Sequence, residues 1–321
     1  MNSIYCSPTH MKYVVGSADG KGIKISDFGS VLLPQGGMIN GIITDAEIMT
    51  KYFSEVKSEN ALSKEPTWLI INNSTIETKV MDVPALGEDK ILEFVRREFR
   101  QYSDEENDAV YDFNVLNPKA ASGGVTILAV GVSKEFLTTY KTALVSAGYD
   151  LKGINIGLNC QIKLAGFMPQ LKTRTVVLVQ LDGRTLSLTL LTNGLYRLQN
   201  RSRMVHPEND PEWTDEVASN ISTMMQFNKT QKDNEEIAAA YVAGVTPQGM
   251  SLLTSGLTNL GIDIKELDLM GSISLTGKAQ SKGPFNAGEY LTRAEFRNED
   301  GNAGRALCRC RKGQKTGHAV V

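Results

Sequence analysis

The sequence predicts a mixed α/β chain with two domains, and three observations support this prediction. The chain has 321 residues, which is enough for two domains of ordinary size. Residues 173–203 alternate strand-like segments with Asp-Gly and Asn-Gly pairs, a pattern typical of a β-meander. Residues 66–150 follow the order β-β-α-β-β-α, which indicates a separate unit ahead of that meander.

Composition is that of a globular protein without a strong electrostatic bias. The chain is 41% hydrophobic and 22% charged, and its net charge is −2. This charge gives no reason to expect nucleic acid or a membrane surface as a partner. The first ten residues lack a signal-peptide layout, and the sequence has no run of eighteen apolar residues. We therefore expect a cytoplasmic protein.

Residue types that often carry catalysis or bind metals are scattered. Cys6 and Cys160 are predicted to be buried free thiols, whereas Cys308 and Cys310 form half of a metal site that nothing completes. The sequence contains no phosphate-loop, nucleophile-elbow or zinc-protease motif. The three histidines lie in unrelated loops or the tail: His10, His206 and His318. We predict no catalytic residue and no metal site.

The N-terminal segment is predicted to form three short strands at residues 4–6, 11–15 and 23–26, with turns at 17–22 and 27–29. A Gly-rich loop follows. Thr44 and Glu47 then have the spacing of a capping box, which predicts a helix whose apolar face continues to Val56.

The segment 66–150 contains two amphipathic helices between its strands. The first helix, 88–102, places Arg96, Arg97 and Arg100 opposite its apolar side. These arginines are either a partner-binding surface or a solvated helix face. Ser133 is predicted to cap the second helix, which Gly148 closes.

After the meander the predicted elements become shorter. They are a helix at 214–228, a strand at 237–242, a Gly-containing loop at 244–248, a helix at 252–260 capped by Gly261, a strand at 264–267 and a helix at 285–296. The basic tail that follows has no periodicity, and we predict that it is mobile.

Residues 31–45 read V-L-L-P-Q-G-G-M-I-N-G-I-I-T-D. They resemble the L-P-x-G-x-V-x-x-G-x-I-x-D motif of the PilM/FtsA branch of the actin-like ATPase superfamily. The order of elements in 66–150 is similar to the inserted subdomain of that branch, called 1C. The meander is similar to the opening of its second domain. The resemblance covers about residues 3–270, and it implies an actin-like (ribonuclease H-like) α/β, or α+β, fold.

The resemblance also implies domain boundaries. Residues 1–60 and 151–171 form subdomain 1A, and residues 61–150 form subdomain 1C. Residues 172–270 form the second actin-like domain, with a 2A part and a reduced 2B part at about 200–234. Residues 271–321 are a C-terminal segment.

Phosphate-binding turns of this fold need glycine amides and a carboxylate for Mg²⁺. Tyr5 and Gln180 stand where the family has Asp, and Ser7 stands where it has Gly. Val245 and Thr246 replace two glycines of the adenosine loop. The matching positions form a candidate nucleotide pocket: Thr9, Lys12, Asp182, Gly183, Thr185 and Gly244. Asp182 is either a displaced metal ligand or an ordinary turn residue.

By resemblance, the chain is a cytoplasmic scaffold of type IV pilus assembly, located at the inner face of the cytoplasmic membrane through its partners. The implied partners are the N-terminal tail of a PilN-like inner-membrane protein, bound in a groove between 1A and 1C, and the pilus assembly ATPases. Because the phosphate- and adenosine-binding loops depart from the family's pattern, we expect that no cofactor is required and that ATP is not hydrolysed. Binding of ATP with Mg²⁺ stays an open alternative. Two rival interpretations are a working actin-like ATPase or small-molecule kinase, and a secretion-system relative similar to GspL.

Overall fold

The computed structural model describes residues 1–19, 22–60, 62, 65–100, 109–120, 123–231, 235–268, 270–292, 294–295 and 308–309. The chain divides into two compact units. The first unit comprises residues 1–160, 275–283 and 293–321, and the second comprises residues 161–274 and 284–292. The predicted subdomain boundaries remain a prediction.

The strands, in chain order, are β1 Asn2–Cys6, β2 His10–Asp19, β3 Gly22–Leu32, β4 Met38–Ile39, β5 Ile42–Ile43, β6 Thr67–Ile71, β7 Glu77–Val83, β8 Ala109–Asn117, β9 Val125–Ser133, β10 Leu151–Ile156, β11 Thr175–Asp182, β12 Thr185–Thr192, β13 Leu195–Arg203, β14 Ile237–Ala243, β15 Asp263–Glu266, β16 Ile273–Leu275 and β17 Cys308–Arg309. The α-helices are α1 Ala46–Glu59, α2 Glu88–Arg100, α3 Lys134–Ser146, α4 Gly157–Ala165, α5 Pro169–Lys172, α6 Trp213–Thr230, α7 Pro247–Gly256 and α8 Ala287–Leu291. Short 3-10 helices cover Thr258–Leu260, Met270–Ser272 and Gly277–Ser281.

Within the first unit, the larger sheet has the strand order β3-β2-β1-β6-β10-β17. Strands β1, β2 and β3 form an antiparallel meander, whereas β1, β6 and β10 run parallel. The predicted turn at 27–29 is wrong, because β3 continues without a break through these residues. The buried carboxylate of Asp27 pairs with Lys282 at 2.5 Å, so the Asp-Phe-Gly sequence stays in the strand.

Helix α1 begins one residue later than the capping box predicts. Its N-cap is Asp45, whose Oδ1 accepts from the amides of Glu47 at 3.0 Å and Ile48 at 2.9 Å. Thr44 is not the cap, because its hydroxyl donates to the Gly36 carbonyl at 2.8 Å. The buried side of the helix is formed by Met49, Tyr52, Phe53 and Val56.

The smaller sheet of the first unit has the order β7-β9-β8 and is antiparallel throughout. One face packs against α2 and forms a separate hydrophobic core that includes Val95, Phe113 and Ile127. Ser133 caps α3 by accepting from the Phe136 amide at 3.3 Å, which confirms the predicted cap. Arg97 lies over the Phe94 ring on the same helix, with its guanidinium 5.0 Å from the ring centroid.

The second unit contains a five-stranded sheet of order β13-β12-β11-β14-β15. Asn193 and Gly194 both have positive φ, at 51° and 78°, which confirms the predicted Asn-Gly turn. In the preceding hairpin Asp182 pairs with Thr185, so the turn residues are Gly183 and Arg184, one position later than the Asp-Gly pair suggests. The core of this unit lies between the sheet and helices α6 and α7.

Three predictions near the C-terminus need correction. Helix α7 begins at Pro247 and ends at Gly256, earlier than the predicted 252–260, and Gly261 caps the following 3-10 helix with φ 68°. The predicted helix 285–296 is described as a helix only over Ala287–Leu291. In the tail, β17 pairs with Gly153 and Ile154 of β10. Cys310 and the remainder of the predicted mobile tail lie outside the described residues. Within the described ranges, no helix is both long and apolar enough to span a membrane.

Candidate functional site

The turn between β1 and β2 is closed by its own hydrogen bonds. The Ser7 hydroxyl accepts from the backbone amides of Thr9 at 3.4 Å and His10 at 2.9 Å. The Ser7 amide donates to the His10 carbonyl at 2.8 Å. Glycine at position 7 would leave these amides free for a phosphate, whereas the serine side chain satisfies them internally.

Tyr5, at the position of the family's Asp, is a core residue. It is 3% exposed and belongs to a cluster with Trp68, Ile70 and Cys160. Burial also raises the pKa of the adjacent Cys6 thiol to about 12. The predicted pocket residues near this turn are less enclosed: Thr9 is exposed, and Lys12 is half-buried in β2 opposite Tyr5. This turn therefore offers a packed aromatic ring where a Mg²⁺-binding carboxylate would be needed.

Gln180, the second substituted Asp position, is held in a buried amide network of the second unit. Its Oε1 accepts from Gln161 Nε2, and its Nε2 donates to Thr292 Oγ1. Gln161 Oε1 in turn accepts from Thr189 Oγ1 at 2.8 Å and from Gln199 Nε2 at 3.1 Å. Gln180 is 4% exposed, so its amide is committed to structure.

Four predicted pocket residues lie close together in the second unit. Asp182 and Thr185 close the β11–β12 hairpin, and Gly183 occupies its turn with φ 58°. Gly244 has φ 79°, and any side chain there would collide with the carbonyl of Leu181, next to Asp182. Asp182 is 9% exposed at the end of β11. Among the residues with described positions, no group of three or more Asp, Glu, His or Cys side chains could hold a metal ion.

The N-terminus of α7, which follows the Gly244 loop, is occupied by a carboxylate of the chain itself. Glu208 Oε1 accepts from the Thr246 amide at 2.8 Å and from the Thr246 hydroxyl at 2.5 Å. Thr246 Oγ1 accepts from the Gly249 amide at 3.0 Å, and Pro247 has no N–H. A side chain at Gly249 would collide with the Glu208 carboxylate. The first turn of the helix thus has an internal anion where an external one would bind.

A narrow cleft of about 20 Å³ lies in the first unit, between the two sheets, and nearly all of its lining side chains are buried. Strands β6 and β10 line one wall, strands β8 and β9 line the other, and Leu137 of α3 completes it. Seven of the lining side chains are aliphatic: Ile71, Val110, Val130, Val132, Leu137, Ile154 and Ile156. Asp112 and Asn155 are the polar lining residues. In the present arrangement of its walls, this space has room for little more than a water molecule.

The sequence predicted the positions of the turns but not all of the side chains that form hydrogen bonds there. Glu208 lies in a polar loop and has no motif, so only the folded chain places it at α7. Gln161 and Thr292 are 131 residues apart in sequence (292 − 161), and no local pattern connects them with Gln180. The groove between 1A and 1C was predicted without residues, and it stays a prediction.

No protein-family model and no curated protein matches the sequence. Solved structures do match. A chain of a PilM-PilN type IV pilus biogenesis complex is 16% identical, covers 91% of this chain and 96% of that chain, and has a TM-score of 0.74. A protein of Bacteroides thetaiotaomicron VPI-5482, described as having an actin-like ATPase fold and unknown function, is 10% identical at a TM-score of 0.53. It covers 85% of this chain and 91% of that chain.

These likenesses place the chain among proteins of the actin-like fold, as the sequence predicts. Within that class it is similar to the PilM-PilN complex chain over nearly the full length of both, which agrees with the resemblance found in the sequence.

Proposed function

We propose that this chain is a cytoplasmic scaffold of type IV pilus assembly, located at the inner membrane through its partners. In this proposal, it binds an extended N-terminal segment of a PilN-like inner-membrane protein in the cleft of the first unit. The observation that carries the proposal is the likeness of this chain to a chain of a PilM-PilN complex over nearly the full length of both. The cleft of the first unit is the proposed location of the bound segment. Contact with the pilus assembly ATPases is part of the same proposal and rests on the resemblance alone.

The cleft lies where an extended segment could reach both sheets of the first unit. Its two walls belong to different sheets, so a bound segment would contact backbone and side chains along several strands. Aliphatic walls supply binding energy through burial of an apolar anchor, worth about 25 cal/mol for each Å² removed from water.

We further propose that the scaffold works without nucleotide. Ser7 and Glu208 satisfy amides that a phosphate or ribose would otherwise use, and Tyr5 and Gln180 are committed to packing and hydrogen bonding. The alternative, an actin-like ATPase with a working site, would have to bind Mg²⁺ without the two substituted carboxylates. Asp182 is the residue on which that alternative depends.

Calorimetric titration tests both parts in parallel. The purified chain is titrated with Mg-ATP and, separately, with a synthetic peptide from the N-terminus of the PilN-like protein encoded beside it. We expect micromolar binding of the peptide and no heat from Mg-ATP. Tight Mg-ATP binding that Asp182→Ala abolishes would favour the ATPase, and absence of peptide binding would contradict the scaffold.

A matched pair of variants locates the peptide. Val110→Trp places a large ring in the cleft wall, and we expect a loss of peptide affinity of about 100-fold, the scale of an interface hot spot. Val80→Trp introduces the same ring at an exposed position of β7 in the same sheet, and it should leave the affinity unchanged. Equal effects of the two substitutions would exclude the cleft as the binding site.

A further inference from the structure

Four buried polar side chains form a hydrogen-bonded chain beside the cleft of the first unit. Asn114 Nδ2 donates to Asn159 Oδ1 at 2.8 Å, and Asn159 Nδ2 donates to Asn155 Oδ1 at 2.9 Å. Asn155 Nδ2 then donates to Glu295 Oε2. We call Asn114, Asn155, Asn159 and Glu295 the amide chain. Its three bonds point in one direction, from β8 toward a carboxylate.

The amide chain lies in the interior. Asn155, Asn159 and Glu295 are 0% exposed, and Asn114 is 8% exposed. Burying an amide or a carboxylate is unfavourable unless each is hydrogen-bonded, and removing one partner leaves the other with its desolvation cost. Aliphatic residues at these positions would avoid that cost, so packing alone does not account for four such groups in series.

The bonds join segments that are distant in sequence. Asn114 belongs to β8 of the smaller sheet, and it bonds across 45 residues to Asn159 of α4. Asn155 belongs to β10 of the larger sheet, and it bonds across 140 residues to Glu295. The Glu295 backbone is itself fixed on β1, because its amide donates to Ser3 Oγ at 3.0 Å and its carbonyl accepts from the same hydroxyl at 3.1 Å. The amide chain thus connects the two sheets through directional contacts.

These contacts lie directly at the proposed peptide site. Asn155 lines the cleft, and Asn114 is two residues from Asp112, on the same face of β8. Most of the side chains that line the cleft are aliphatic, and aliphatic contacts tolerate small sliding because they have no preferred direction. A hydrogen bond restrains both distance and angle, so the amide chain restricts how far β8 can move from β10.

We propose that the amide chain fixes the separation of the two cleft walls, and that Asn114 and Asn159 are positioning residues for the bound segment. The inference rests on the proposed function for its binding part. Its structural part, the spacing of the walls, is measurable without any partner.

The spacing can be measured by pulsed electron paramagnetic resonance between spin labels at Val115→Cys on β8 and Lys152→Cys on β10, one on each wall. Val115 is 43% exposed and the Lys152 side chain is 40% exposed, and Cys308 and Cys310 are replaced by Ser. Cys6 and Cys160 are buried and should remain unlabelled. We expect one narrow distance distribution in the parent chain and a clearly broadened one when Asn159→Leu removes two bonds of the amide chain.

Peptide affinity is measured on the same variants. Asn159→Leu should weaken peptide binding at least tenfold, mainly through faster dissociation. The matched control is Asn228→Leu in the second unit, which also removes a buried asparagine, one that donates to the Glu235 carbonyl at 2.8 Å. The control should lower thermal stability similarly while leaving the label distance and the affinity unchanged.

Every outcome of these measurements either supports or overturns the inference. If Asn159→Leu does not fold, the milder Asn114→Leu, which removes one bond at the edge of the amide chain, takes its place with the same expectations. A folded variant with the parental distance distribution overturns the inference. If the parent chain binds no peptide, the proposed function fails, and the label distances alone still support or overturn the role of the amide chain.

Discussion

The turns that the resemblance assigns to nucleotide binding differ from the cleft of the first unit in the groups that they present. The difference is whether polar groups at each place are hydrogen-bonded within the chain. In the turns, amides are satisfied by Ser7, Thr246 and Glu208, and the substituted carboxylate positions are filled by buried side chains. In the cleft, buried aliphatic side chains line a small space between two sheets. The difference teaches that backbone amides in a turn can be satisfied by local side chains, whereas the junction of two sheets is closed by packing.

The largest expected effect comes from restoring a carboxylate at Tyr5. Tyr5→Asp would place an unpaired charge among Trp68, Ile70 and Cys160, and we expect it to lower the free energy of unfolding by more than about 3 kcal/mol. Chemical denaturation measures this loss. Tyr5→Phe keeps the ring and should cost about 1 kcal/mol. A stable Tyr5→Asp variant that binds Mg-ATP would show that the first turn can still serve a nucleotide, which contradicts the difference drawn between the turns and the cleft.

Gln180→Asp should have the next largest effect. The shorter carboxylate cannot donate to Thr292, and it leaves the Gln161 amide without its present partner. We expect a loss of about 2 kcal/mol of unfolding free energy and no gain of nucleotide binding. Gln248→Asp, at an exposed position of α7, is the control and should change stability by less than about 0.5 kcal/mol.

Ser7→Ala removes the internal acceptor of the first turn. The amides of Thr9 and His10 lose this acceptor, which should cost about 1 kcal/mol. Alkylation of Cys6 reports local opening, because burial and a pKa of about 12 keep this thiol unreactive at pH 8 in the parent chain. In a background whose other cysteines are replaced, we expect Ser7→Ala to speed the alkylation of Cys6. Ser17→Ala, at an exposed position of β2, should not change the rate.

The smallest expected effect is at Glu208. Glu208→Gln keeps an acceptor for Thr246 but removes the negative charge at the N-terminus of α7, which should cost about 0.5 kcal/mol. The loss should diminish at high salt, since salt screens a partly exposed charge. Glu236→Gln, at an exposed position, serves as the control for lost charge. A gain of phosphate binding in Glu208→Gln alone would indicate that this carboxylate is the main obstacle to anions.

The sequence by itself determined the fold class and most of the elements. Periodicity, the Asn193-Gly194 turn and the Ser133 cap are local signals, because they depend on backbone conformations and side chains within a few residues. Tyr5, Ser7 and Gln180, by contrast, were singled out only against the motif of the family that the sequence resembles. Local signals failed where two residues compete for one role, as Thr44 and Asp45 do at the start of α1.

Only the tertiary structure decided which distant side chains meet around the positions that the sequence singled out. Glu208 reaches α7 across 38 residues, and the amide chain connects residues 45 and 140 positions apart. The walls of the cleft come from strands of two different sheets. Contacts of this kind depend on how sheets and helices pack, and sequence periodicity carries no information about which distant side chains meet.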